Sequence, residues 1–189
     1  HLGLGEKAKV DIEQALEIFT ILVEKERQNE FRPALATTYY RASRIMESLG
    51  ETEKARTYSE KSVSELIELV EDRGRVDLQP RLGIAVAFRG RLKGQAGDVS
   101  GSLKDLQQAS GLFSTNDPEP QPDRIQAQIE VQLELASLML KAKDLDNAVK
   151  ESTKAVQLST RAVDELHFDD LQSLLATCHT CRARCFFDQ

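Results

Sequence analysis

Three closely spaced cysteines, Cys178, Cys181 and Cys185 in the run CHTCRARC, are the residues of this sequence best suited by type to chemistry. At i, i+3 and i+7 they share one helix face. With His179 or His167 they could offer soft ligands to zinc. Ligands strung along one straight helix do not converge on a tetrahedron without help from elsewhere. Buried cysteine also behaves as a small hydrophobe. Packing is therefore the preferred reading, with metal binding and redox chemistry as minor alternatives, and no metal site is predicted. The run GLGEK near the start looks superficially like a phosphate-binding loop, but the Walker spacing is absent and no hydrophobic strand precedes it. No nucleophile elbow, HExxH or paired-Asp motif accompanies the three histidines. The expectation is a protein without catalysis and without a cofactor.

A second group suits recognition. Arg44 and Arg91 stand 47 residues apart, Arg184 falls two repeats beyond Arg91 with Ser137 between, and Arg41 adds a charge beside Arg44. A row of guanidinium groups suits carboxylates or an acidic segment, because each planar fork can bind one bidentately. The plainer reading is that these arginines are solvated or pair with glutamates, since the chain has 31 acidic residues.

Composition narrows the setting. The chain has 189 residues, 40% hydrophobic and 30% charged, as expected of a folded domain or a few stacked repeats. Trp is absent, and good helix formers dominate. The net charge of −6 argues against general nucleic-acid binding, which needs a basic footprint. The longest apolar run, Ile84 to Phe88, is far below the roughly 18 residues of a membrane span. With no signal-peptide core at the N-terminus, a cytoplasmic setting is expected. Three cysteines confined to eight residues do not make a disulfide framework.

The elements that must position these residues follow from an internal repeat. Shifted by 47, LGLGEKA (Leu2 to Ala8) lands on LGETEKA (Leu49 to Ala55), and AGDVSGS (Ala96 to Ser102) and KDLDNA (Lys143 to Ala148) continue the series. Three columns of small residues run through it: Ala8, Ala55, Ser102, Ala148; Ala15, Ser62, Ala109, Ala155; and Ser43, Gly90, Ala136, Ala183. Small columns imply helices crossing at short range, where a long side chain would hold the backbones apart. Helices are expected over about 5–29, 33–48, 52–73, 80–95, 99–114, 124–142, 145–166 and 170–187. Gly50 and Gly97 mark helix ends, Asp98 and Asp144 supply N-cap acceptors, and Pro33 and Pro80 sit in first turns. Asp117 to Asp123, with three prolines, reads as an exposed connector within one continuous array. The chain opens on His1 and stops at Gln189 in mid-repeat, and is expected to be a segment of a longer protein.

Alternating antiparallel helices, with a small residue in one and an Ala after a Gly-Asp-type turn in the next, resemble tetratricopeptide repeats, in an extended variant of about 47 residues. The family's aromatic near the start of the first helix is kept as Tyr39, with Val86, Gln132 and His179 at equivalent places. The resemblance implies an all-α solenoid of antiparallel hairpins over 1–189, about eight helices in four repeats, coiled as a right-handed superhelix. It also implies a concave groove that would hold a protein or peptide. The Lys and Asn set with which some members grip a C-terminal carboxylate is not here, its places being Tyr40, Arg44, Ala87, Phe88 and Leu133. The groove candidates are Tyr40, Arg41, Arg44, Ile84, Phe88, Arg91, Leu133 and Arg184. Such a lining suits an acidic partner with apolar anchors, with neither nucleic acid nor membrane as partner. The alternative is a regulatory or structural arm of a larger protein, acting in cis or by self-association.

Overall fold

The computed structural model describes residues 2–113 and 121–188. Among them are eight α-helices and no strand: α1 (Leu2–Thr20), α2 (Arg32–Ser48), α3 (Thr52–Ile67), α4 (Gln79–Gln95), α5 (Val99–Leu112), α6 (Pro122–Lys141), α7 (Leu145–Asp164) and α8 (Gln172–Phe187). The fold is an all-α helical repeat. Its residues form two compact units, 1–89 and 90–189. Most of the connector read at Asp117 to Asp123 lies outside the described residues, but Pro122 occupies the first turn of α6, where a missing N–H leaves no bond unmade.

In the first unit α1 packs on α2 and α2 on α3. Leu16 and Val23 from the first helix and its extension meet Leu35, Tyr39 and Ala42 from α2, with Ile12, Phe19, Phe31 and Tyr58 at the rim. The small columns do what their pattern implied. Ser43 donates to the Ala55 carbonyl at 2.6 Å, and Ser62 to the Ala36 carbonyl at 2.8 Å, so α2 and α3 touch backbone to side chain at two levels. In the second unit a Cβ on Gly90 would stand 3.0 Å from Asp105 Cβ and 3.3 Å from the Ser102 carbonyl. Any side chain there would have to push its neighbours back by a few tenths of an ångström. Farther along, Ile125, Ile129, Ala155, Val156, Ala162, Leu171 and Cys178 join α6, α7 and α8 in one core.

Two turn designs alternate, and both repeat. After α2, α4 and α6 the chain closes with a left-handed residue at Gly50, Gly97 and Lys143. In each, the next N–H reaches back five residues: Glu51 to Met46, Asp98 to Lys93 and Asp144 to Met139, all at 2.9 Å. The other turn is wider. Beyond α1 and α3 the helix loosens into a π turn, Ile21–Lys25 and Glu68–Asp72. Left-handed residues follow at Arg27 and Gly74, and again at His167 after α7. There the bond spans six residues, Gln28 to Leu22, Arg75 to Leu69 and Phe168 to Ala162, before a 3-10 turn opens the next helix. The first helix thus ends earlier than its hydrophobic stripe suggested, at Lys25 with its π turn, because the stripe continues through the closure.

The caps divide. Asp98 accepts from the Gly101 N–H at 2.8 Å, as a helix N-cap should. Asp144 occupies the same place but accepts from the Asn147 side-chain amide instead, also at 2.8 Å, and caps no backbone group.

Candidate functional site

The strongest constellation in the first unit lies on α2 and α4. Tyr40 meets Phe88 edge to face, with ring centroids 5.5 Å apart. Phe88 is buried and Tyr40 half-buried, so the pair forms a fixed floor. Above it the Arg44 guanidinium lies 5.9 Å from the Tyr40 ring centroid, one helical turn along. Arg44 is exposed, and so is Arg41, one turn before it. Neither has a carboxylate partner among the described residues. Ile84, half-buried, stands one turn before Phe88 on α4.

Arg32 shows what an arginine with an internal task looks like in the same unit. Its guanidinium is held by Glu68 and lies 3.5 Å from Glu65. The hydrogen bond to Glu68 raises the Arg32 pKa further and holds the Glu68 carboxyl below its ordinary range. Burial pushes the Glu65 carboxyl up. Arg41 and Arg44 make no such ion pair among the described residues.

The remaining expected residues fall in the second unit. Arg91 is half-buried on α4. Leu133 packs at the rim of the α6–α7–α8 core, a position shared between packing and surface. Arg184 is exposed on α8, 3.8 Å from Asp188. Of the expected residues, Tyr40 is brought against both Phe88 and Arg44. Sequence reading had no signal for the geometry of that trio, because ring orientation depends on how α2 and α4 cross.

The cysteine run faces mostly inward. Cys178 and Cys185 are fully buried and Cys181 partly so. Burial, then the neighbouring Cys185, pushes the Cys181 thiol up to about 11, and burial also raises Cys178. Protonated thiols are poor nucleophiles and poor ligands. Among the described residues no group of three or more His, Cys, Asp or Glu is placed to hold a metal ion.

Tyr39, the aromatic kept from the family pattern, is buried and stacks on Tyr58 of α3 at 6.1 Å, with the Lys61 ammonium 5.4 Å from its ring centroid. It pins the α2–α3 hairpin that turns at Gly50. Residues 36–65, the greater part of that hairpin, match the family model described as tetratricopeptide repeat. That hairpin is similar to a tetratricopeptide repeat. No curated protein matches it. At the places one, two and three periods after Tyr39 stand other residues. Val86 is buried, Gln132 is buried and donates to the Ser110 hydroxyl at 3.0 Å, and His179 is exposed. The match falls on the repeat that keeps the tyrosine. Tetratricopeptide repeats generally mediate protein–protein interactions, and no helix among the described residues is long and apolar enough to cross a membrane.

Proposed function

We propose that this chain is a non-catalytic protein-binding scaffold that takes a peptide or helical segment on the Tyr40–Arg44–Phe88 surface. The observation that carries this is an exposed guanidinium already seated over an aromatic ring, with no ion pair of its own among the described residues. Seating reduces the side-chain freedom lost on binding. The outer edge of the fork remains open to an incoming carboxylate, which it can grip with two hydrogen bonds. Arg41 adds a second charge on the same helix, and Ile84 and the Tyr40 ring supply apolar footing. The favoured ligand is an acidic segment with an aromatic or branched apolar anchor.

Selection from a displayed random-peptide library tests this. The enriched sequences should combine acidic and apolar residues, and should bind Arg44→Glu and Tyr40→Ala at least about tenfold more weakly, a loss near 1.4 kcal/mol. Circular dichroism should show both variants folded. Enriched peptides that bind the wild type and the folded variants equally would move the binding surface elsewhere.

A further inference from the structure

The α2–α3 hairpin carries a carboxylate where the other copies of the repeat carry hydrocarbon. The place of Glu65 is taken in those copies by Ile18, Leu112 and Leu158. Two repeats on, an offset of 93 residues, Arg32 has its counterpart in Ile125 and Glu65 in Leu158. In the second unit Leu158 packs against the core to which Ile125 belongs. In the first unit the same place brings Arg32 Nη1 to 3.5 Å from Glu65 Oε2. An ion pair stands where the last hairpin has apolar packing.

That ion pair is poorly matched. Glu65 Oε2 is buried and accepts no hydrogen bond among the described residues, and Arg32 Nε is buried and donates none. Arg32 is held more closely by Glu68, which also accepts from Arg73 Nη2 at 2.8 Å and from its Nε at 3.3 Å. The charged groups acting on Glu65 are Arg32 from α2, Glu68 and Arg73 from the wide turn after α3, and Glu24 from the wide turn after α1. Three carboxylates thus share two guanidinium groups. Glu68 engages both, so the uncompensated negative charge falls on half-buried Glu65. A carboxylate withdrawn from water without its full set of donors is costly unless it is hydrated or protonated.

We propose that Arg32, Glu65 and Glu68 form a pH-sensitive latch at the wide-turn end of the α2–α3 hairpin, loosened while Glu65 is ionised and closed when Glu65 takes up a proton. Ionised Glu65 is relieved by water, and the end of α3 must part from the start of α2 to admit it. Protonated Glu65 is a neutral side chain in a place the repeat keeps apolar, and it leaves Arg32 to Glu68. The sign follows from burial, which raises the Glu65 carboxyl above its ordinary 4.5 in the closed hairpin. Closing therefore takes up a proton and is favoured as pH falls from neutral toward 4.5. At lower pH the protonation of Glu68 opposes it, because Arg32 and Arg73 hold that carboxyl low. The latch uses neither Tyr40 nor Arg44, so it stands apart from the peptide surface proposed above.

Hydrogen exchange of the whole chain tests this, followed by mass spectrometry from pH 7 to pH 5 and corrected for the intrinsic pH dependence of exchange. Peptides covering 64–78 include the Arg73 and Arg75 N–H groups, which close on the Glu68 and Leu69 carbonyls. Their protection should rise about threefold or more as pH falls over that range. In Glu65→Gln it should be high at both ends of the range and change little. Arg32→Ile combined with Glu65→Leu, the pair of the last hairpin, should behave in the same way, and serves if the glutamine variant does not fold. Protection that stays flat with pH in the wild type overturns the inference. So does an equal rise in the wild type and the double variant, which would assign the response to another group.

Discussion

The Ser43 hydroxyl donates to the Ala55 carbonyl at 2.6 Å, from the small column of one helix to the small column of the next. The equivalent pair one repeat later is Gly90 and Ser102, where a Cβ on the glycine would lie 3.3 Å from the serine carbonyl. One crossing uses a hydroxyl to reach across the gap; the other closes the gap by removing the side chain. Both hold the two helices at close range.

Substitution at these crossings should be graded by size. Ser43→Ala removes one buried hydrogen bond and should lower unfolding free energy by about 1 kcal/mol. Ser43→Leu and Gly90→Val insert bulk into a filled crossing and should cost about 1–3 kcal/mol. Urea denaturation followed by circular dichroism measures both. Equal effects of Ser43→Ala and Ser43→Leu would mean that the crossing is not close-packed.

The tight turns make a second prediction. Gly50 and Gly97 take the left-handed conformation at no steric cost, whereas Lys143 adopts the same conformation (φ 61°) with a side chain attached. Lys143→Gly should stabilise the chain by about 1 kcal/mol, seen as a higher urea midpoint. Gly97→Lys should lower the midpoint by a similar amount. A loss of stability in Lys143→Gly would show that the lysine side chain does something in that turn beyond occupying it.

These features were unevenly legible in the sequence. The helices and crossings could be read because small residues recur at a fixed period wherever backbones approach, a constraint that leaves its mark on residue type. Gly50 and Gly97 were legible for the same reason. The wider turns were not, since Arg27 and His167 give no composition signal for a left-handed residue, and a π turn is made by peptide groups rather than side chains. The arginine row was visible as a column, but the seating of Arg44 on Tyr40, and of Tyr40 against Phe88, depends on rotamers and a helix crossing that no single segment encodes.

Acid should act on stability in two opposed ways. Hydrogen bonds from Arg32 and Arg73 hold Glu68 below the ordinary carboxyl value of 4.5, and bonds from Lys54 and Lys9 do so for Glu51. Such groups contribute stability that is present above 4.5 and lost as pH falls through their lowered folded values. Glu65, raised by burial, works the other way: it takes up its proton first and favours the folded state as pH descends toward 4.5. Urea midpoints from pH 7 to pH 3 should therefore hold or rise slightly before falling. Glu68→Gln should shrink the fall, and Glu65→Gln should remove the early rise. A midpoint that falls steadily from pH 7 in Glu65→Gln and wild type alike would contradict the assignment for Glu65.

The cysteines predict a labelling pattern. With its thiol near 11 rather than the ordinary 9, Cys181 should react with iodoacetamide at pH 8 about a hundredfold more slowly than a free thiol. Cys178 and Cys185, fully buried, should remain unlabelled until the chain is unfolded in urea, when all three react. Mass spectrometry of native and unfolded samples reads this directly. Fast labelling of Cys181 in the folded chain would reopen a chemical role for α8.

The wide turn, with its bond spanning six residues, has a bearing on how such a chain changes over time. Arginine, glycine and histidine occupy its left-handed position in different copies, yet the bond length stays between 2.9 and 3.0 Å. The closure is written in the number of residues and not in their identity. Substitutions can therefore accumulate freely at these joints, while insertions or deletions within them would throw the following helix out of phase. Copies that look unalike letter by letter can thus remain interchangeable as hairpins, and kinship among them is better counted in spacing than in shared residues.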